Sequence, residues 1–189
     1  MRQLRGFAAV GAENPSILIL GSFPSAKSLE RREYYGHERN HFWPLMGIIL
    51  GFDPGAPYLE RLGRLERAGI ALWDVIAACE REGSLDQDIR GESANPLAEF
   101  IASRPTIERL GLNGGKAASA FVGLLAPSLG GLEIGKECPW TPPFSPRREI
   151  LIARLPSSSP VPTRNFRKVS DKLPAWSAFV SPTPRESRN

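Results

Sequence analysis

Four short apolar runs constrain the fold more than anything else in the chain: ILILG at 17–21, IALWDVI at 70–76, IERLGLN at 107–113 and EILIARL at 149–155. They show little of the strict apolar/polar alternation of a strand with one wet face. Their continuous character is that of strands covered on both faces. Helical patterns fill the gaps between them. After Pro57, Tyr58, Leu62 and Leu65 share one face while Arg61, Arg64 and Arg67 surround the other; PLAEFIAS follows at 96–103 and KAASAFVGLLA at 116–126. Strands alternating with helices predict a parallel sheet with right-handed crossovers. The expected fold is therefore α/β, a three-layer αβα sandwich on a central four-stranded parallel sheet. One domain is expected over 1–180, with 181–189 as a disordered tail.

Ligands of open parallel sheets bind beyond the carboxyl ends of the strands. Each run ends there in an unusual feature: GSFPS after the first, Asp74 in the second, NGGK after the third and LPSSSP after the fourth. Pro127–Pro146, rich in Gly and Pro, is expected to lack regular structure, with Trp140 and Phe144 as anchors.

Composition excludes several classes. No stretch approaches the roughly 20 apolar residues needed to span a bilayer, and Glu13, Asn14 and Pro15 interrupt the N-terminal apolar run, so neither a membrane span nor a cleaved signal peptide is expected. A cytoplasmic protein follows. Cys79 and Cys138 stand far apart, with only His37 and His41 to assist. An iron–sulfur or structural zinc site needs about four ligands, so no metal is expected. The net charge of +4 is compatible with a polyanionic partner. Arg147, Arg148, Arg154, Arg164, Arg167, Lys168 and Lys172 gather near LPSSSP and suggest a positive rim beside one loop.

The strand-end motifs carry the chemistry. In GSFPS, Gly21 permits close approach of backbone to a ligand, Ser22 follows it, Phe23 offers either a core ring or a stacking surface, and Pro24 fixes the chain. The loop is neither a Walker A sequence nor a dinucleotide fingerprint. LPSSSP presents Ser157, Ser158 and Ser159 between prolines, a rigid loop suited to a phosphate backbone. A serine hydrolase using Ser157 or Ser158 is the competing reading, though G-x-S-x-G is absent. Asn113 in NGGK is either a turn residue or a reader of a lactam edge, its oxygen taking a ring N–H while its nitrogen donates to the adjacent carbonyl. Uracil and hypoxanthine present that edge.

The blocks ILILGSFPSAKSL, REYYGHERNHFWPL, GIALWDVIAACEREGSLDQDI, LNGGKA and LPSSSP, taken together, resemble the uracil-DNA glycosylase superfamily and most closely its hypoxanthine (deoxyinosine) branch. Phe23 stands where many members carry Asp or Asn. The resemblance instead assigns the water-handling amide to Asn40, in the YYxxxRNxFW block. It implies base binding by Phe23, Asn113 and Tyr35; contact with the DNA backbone by Ser157, Ser158, Ser159 and Arg164; and a motif loop of Gly21, Ser22 and Pro24. Asp74 reads as a loop anchor or helix cap, with a catalytic carboxylate as the alternative. His41 either assists the departing base or contacts phosphate.

The resemblance implies a monofunctional DNA N-glycosylase acting without cofactor or metal, as a monomer, on damaged DNA. The absence of a well-placed lysine near the pocket motifs argues against a Schiff-base step, Lys116 being the alternative. A uracil or broad-specificity mismatch glycosylase is the rival within enzymes. A non-catalytic nucleic-acid-binding protein is the rival outside them.

Overall fold

The computed structural model describes residues 3–81 and 89–181. Strands β1 (Gln3–Arg5), β2 (Val10–Gly11) and β3 (Ile17–Gly21) lead into helices α1 (Ala26–Arg31), α2 (Phe42–Leu50) and α3 (Tyr58–Arg67). Then come β4 (Ile70–Asp74), β5 (Ile76–Arg81), β6 (Ile89–Ala94), α4 (Leu97–Ala102), β7 (Arg109–Asn113), α5 (Gly115–Leu125), β8 (Glu137–Trp140), β9 (Ile150–Leu155) and α6 (Val169–Val180).

The main sheet has six strands in the order β2-β4-β3-β7-β9-β8. β4, β3, β7 and β9, which form the four apolar runs, pair in parallel. Short antiparallel strands close both edges, β2 on β4 and β8 on β9. The α/β class is as expected, but the sheet is mixed and larger than four strands. Both additions come from sequence with no strand signal: β2 has two residues, and β8 carries Pro139 within the stretch expected to be irregular. Proline is tolerated there because an edge strand leaves some N–H groups unpaired anyway.

The run at 70–76 is not one strand. The chain turns at Val75, whose N–H bonds the Gly21 carbonyl at 2.9 Å, and the Ile76 N–H bonds Ser22 O at 3.0 Å. It then restarts as β5, which pairs with β1 and β6 in a separate three-stranded antiparallel sheet.

Burial on both faces explains the continuous runs. Leu18 and Leu20 of β3 join Ala71 and Trp73 of β4 and Ile150 and Ile152 of β9 in a cluster with α4 and α5. Ile17 and Ile19 point the other way, with Ile70, Leu72, Ala153 and Leu155, onto α2, α3 and α6. Helices therefore cover both sides. The close approach of α6 requires Gly111 in β7, where a Cβ would lie 2.7 Å from Phe179 Cε1.

Helices expected at 58, 96–103 and 116–126 correspond to α3, α4 and α5. Helix α6 was not expected. Among the described residues no helix is long and apolar enough to cross a membrane. Apart from Ser181, the expected tail at 181–189 lies outside the described residues, as does EGSLDQD at 82–88.

Candidate active site

The parallel register aligns the ends of the strands. Gly21 is the partner of Asp74 across β3 and β4, and Asn113 the partner of Leu155 across β7 and β9. Beyond these ends lies a cavity of about 260 Å³. Gly21, Ser22, Phe23, Pro24, Tyr35, Asn40, Asn113 and Ser157–Ser159 all line it, so the residues singled out in four separate motifs converge. Arg164 does not; it lies at a neighbouring cavity that shares Ser157 with the first.

The aromatic-rich segment is held from several sides. Tyr34 is buried and donates to Ala8 O at 3.1 Å, while the Trp43 indole donates to Tyr34 O at 2.9 Å. Burial first, and the Asp74 carboxylate second, push the Tyr34 hydroxyl far above the usual phenol range. Tyr35 stacks on Phe42 at 4.0 Å between ring centroids and adopts a left-handed backbone, φ 55°. Its hydroxyl is buried beside Asn113 without a well-formed hydrogen bond. Burial, then Asp74, raise its pKa, so it stays protonated and can donate.

Asn40 precedes α2 by two residues, and its Oδ1 accepts the Phe42 N–H at 2.9 Å. That bond satisfies one of the orphan donors at the helix start. A backbone N–H can only donate, so it dictates which end of the amide is oxygen.

Asn113 is fixed in the same way. Ser158 N–H donates to its Oδ1 at 2.8 Å, and its Nδ2 donates to Ser158 Oγ at 2.9 Å. Ser158 also accepts the His41 N–H at its carbonyl, 2.8 Å. One serine thus ties the strand-end amide to the residue following Asn40. Ser158 is 1% exposed and lines the cavity, with its N–H, Oγ and carbonyl all engaged by Asn113 and His41. Ser157 and Ser159 are half-buried, with Ser157 Oγ accepting the Ser159 N–H at 3.2 Å. The two hydroxyls that a serine hydrolase would use are thus engaged within the loop and by Asn113.

Asp74, left open by the sequence, lines the cavity and is buried. A Cβ on Gly21 would meet its Oδ1 at 2.3 Å, so the glycine exists to admit the carboxylate. Its backbone oxygen accepts from Asn95 Nδ2 at 2.8 Å. Phe23 is buried against Ile76 and Cys79 while presenting part of its surface to the cavity. Of its two sequence readings the core packing is observed, and the exposed part of the ring lines the cavity.

His41 does not line the cavity. Its Nδ1 is buried without a partner, and burial first, then the Lys172 charge, lower its pKa. Lys172 of α6 is itself 1% exposed and donates to Ser159 O at 2.9 Å beneath the serine loop. Sequence reading placed it only in a diffuse basic cluster, since nothing local marks a lysine as buried. Lys116 pairs with Glu92 and does not line the cavity. His37 and Arg39 also line the cavity; the aromatic block contained them, but their charged context read as surface.

Fold and pocket define an α/β protein that receives its ligand beyond the carboxyl edge of a parallel-centred sheet, in a cavity walled by an aromatic ring and two oriented carboxamides. No family model matches the chain. It is 41% identical over 114 residues, 60% of its length, to a hypoxanthine DNA glycosylase of Methanosarcina barkeri, covering 72% of that protein. The hypoxanthine DNA glycosylase of Methanosarcina acetivorans matches with the same identity and coverage. A solution NMR structure from Methanosarcina acetivorans, provisionally named a uracil DNA glycosylase, superposes with a TM-score of 0.72 at 33% identity, over 95% of this chain and 97% of that one. The chain belongs to the hypoxanthine DNA glycosylase family.

Proposed function

We propose that the protein is a monofunctional DNA glycosylase, a single domain over 1–180 acting as a cytoplasmic monomer, nucleoid-associated when bound to DNA. It hydrolyses the N-glycosidic bond of a deaminated base, hypoxanthine first, after that base has left the duplex stack. Extrusion costs a few kcal/mol and is easiest at mispairs. The observation that carries the reading is that Asn40 and Asn113 line one cavity together with Phe23.

The orientation of Asn113 supports a lactam-reading role. Both ends of the amide are engaged by Ser158, and each retains one further valence. Turning the amide over would bring its NH₂ against the Ser158 N–H, two donors face to face. The amide oxygen is therefore held to accept a ring N–H and the nitrogen to donate to a carbonyl, the pattern of hypoxanthine and uracil rather than adenine or cytosine. Phe23 supplies the stacking face and Tyr35 a pocket wall.

Glycosidic cleavage passes through an oxocarbenium-like sugar while the departing base gains negative charge. Such a cation needs a positioned water more than a strong base. Asn40 Oδ1, already oriented by the Phe42 N–H, keeps one lone pair for that water. Ser157, Ser159 and Arg164 hold the backbone of the distorted strand. No step draws on a metal or organic cofactor.

Base release from duplexes containing inosine, uracil or xanthine tests the proposal. Hypoxanthine release is expected, with Asn40→Ala and Asn113→Ala reducing it by roughly 10²–10³-fold. Unchanged release by Asn40→Ala removes the water-holding role. Tight lesion binding with no release from any duplex would favour the non-catalytic reading. Uracil is the second substrate, because it shares the lactam edge that Asn113 is oriented to read.

A further inference from the structure

Beside the main cavity, across Ser157 and Gly114, lies a second one of about 260 Å³. Arg154, Arg164, Ser157, Thr163, Asn165 and Gly115 contribute to its lining, and no acidic residue does. Arg154 is the informative member. It lies in β9, where Ile150 and Ile152 face α5, and continues that row as the register partner of Leu112. This brings its guanidinium over the start of α5: a Cβ on Gly115 would sit 3.1 Å from Nη2. Its Nε is buried without a partner. Among the described residues its side chain makes neither an ion pair nor a hydrogen bond. A guanidinium partly withdrawn from water and lacking an anion is costly unless an anion arrives.

We propose that this second cavity is a subsite for one backbone phosphate of the damaged strand, next to the nucleotide whose base occupies the main cavity. The inference rests on the glycosylase reading and adds to it a separate binding site, with Arg154 as its principal ligand. Arg154 offers a forked donor set matched to phosphate oxygens, and Arg164 adds a charge at the rim. Gly114 and Gly115 make room for these groups: a Cβ on the first would meet Ser157, and one on the second the Arg154 guanidinium. The Gly114 backbone at φ 92° and the 2.9 Å that would separate its Cβ from Ser157 leave no room for a side chain. The two cavities meet at Ser157, which lines both, as a base and its flanking phosphate would require.

The test is a scan of inosine duplexes in which single phosphates near the lesion are replaced one at a time by neutral methylphosphonates, with binding and base release both measured. In the unmodified protein one position should weaken binding about tenfold. In Arg154→Met the same position should have little further effect, while the other positions keep theirs. The salt dependence of log Kd should become shallower by about one phosphate contact, and KM should rise far more than kcat falls. Should Arg154→Met fail to fold, Arg154→Gln, which keeps a polar side chain but loses the charge and the fork, decides through the same scan. An Arg154 variant that responds like the unmodified protein at every position overturns the proposal. So does a titration in which inorganic phosphate alone shifts the Gly115 amide while no methylphosphonate position matters, since that marks a free-anion site. The scan reads binding as well as release, so a protein that releases no base overturns the glycosylase reading while the Arg154 contact is still judged.

Discussion

Asn113 and Ser158 hold one another through two hydrogen bonds, one from the side-chain amide to the serine Oγ at 2.9 Å and one from the serine N–H to the amide oxygen at 2.8 Å. The second bond fixes the sense of the amide, and the first only steadies it. Ser158→Ala should therefore leave the preference for lactam bases over adenine intact while lowering kcat/KM about tenfold, because a buried NH₂ loses its acceptor at a cost of about 1–3 kcal/mol. Steady-state release from inosine duplexes, with equilibrium unfolding alongside, measures both. A variant as fast as the original would show that the hydroxyl plays no part in holding the base.

The helix-start bond that Asn40 makes and the water-holding role proposed for it can be separated by substitution. Its Oδ1 accepts the Phe42 N–H at the start of α2, an Asx-turn just before the N-cap His41 whose loss costs about 1 kcal/mol. Serine can form the corresponding turn, though more weakly, and is too short to hold the same water. Asn40→Ser should stay within about 1 kcal/mol of the parent in unfolding experiments and yet lose about 100-fold in single-turnover base release. Equal loss of stability and activity would make Asn40 a turn residue only.

Much of this was legible in the sequence, and the exceptions share a cause. The buried strands announced themselves through continuous apolar runs, and the glycines and amides at their ends marked the site because each has a backbone or hydrogen-bonding reason to be there. Edge strands β2 and β8 escaped notice because their pairing is set by the strand beside them, not by their own residues. Helix α6 was hidden by Pro174, which breaks the local pattern although packing of Trp176 and Phe179 against α2 and β7 stabilises the helix. Nothing local marks Ser158 or Lys172 as buried, because serine and lysine usually face solvent. Their burial is a tertiary fact, created when the loop after β9 folds over α6.

The Tyr35 hydroxyl predicts a conflict between stability and activity. It is buried without a well-formed hydrogen bond, on a residue held at φ 55°. Tyr35→Phe keeps the ring that stacks on Phe42 and removes only the poorly paired oxygen. Stability should be unchanged or higher by up to about 1 kcal/mol, while base release falls about tenfold if the hydroxyl donates to the bound base. Thermal unfolding and single-turnover kinetics on one preparation give both numbers. A marked loss of stability would instead assign the hydroxyl a structural bond.

Gly21 and Asp74 should behave as a coupled pair. A methyl group on Gly21 would fall 2.3 Å from Asp74 Oδ1 and 3.4 Å from the Tyr35 hydroxyl, so Gly21→Ala must displace the carboxylate. We expect a loss of about 1–3 kcal/mol. With Asp74→Ala already in place the methyl group has room, and Gly21→Ala should then cost much less. Additive effects in that double-mutant cycle would mean that the carboxylate is not what excludes the side chain.

The buried Lys172 should be readable through its neighbour. Burial first, and the Lys172 charge second, hold the His41 imidazole below its ordinary value of 6.5. The unfolded chain therefore takes up a proton before the folded one as pH falls. Any stability linked to His41 is complete above about pH 6.5 and declines as pH drops from there toward the folded-state value. Replacing Lys172 with Met removes one of the two causes, so the His41 pKa should rise and the decline between about pH 7 and pH 5 should become shallower. His41→Gln should remove the same component outright. Titration of the imidazole signals by NMR checks the first point, and unfolding across that pH range checks the other two. A His41 titration curve identical in the Lys172→Met protein would show that the lysine charge is screened from the ring, and the tie between α6 and the serine loop would then rest on the Ser159 hydrogen bond alone.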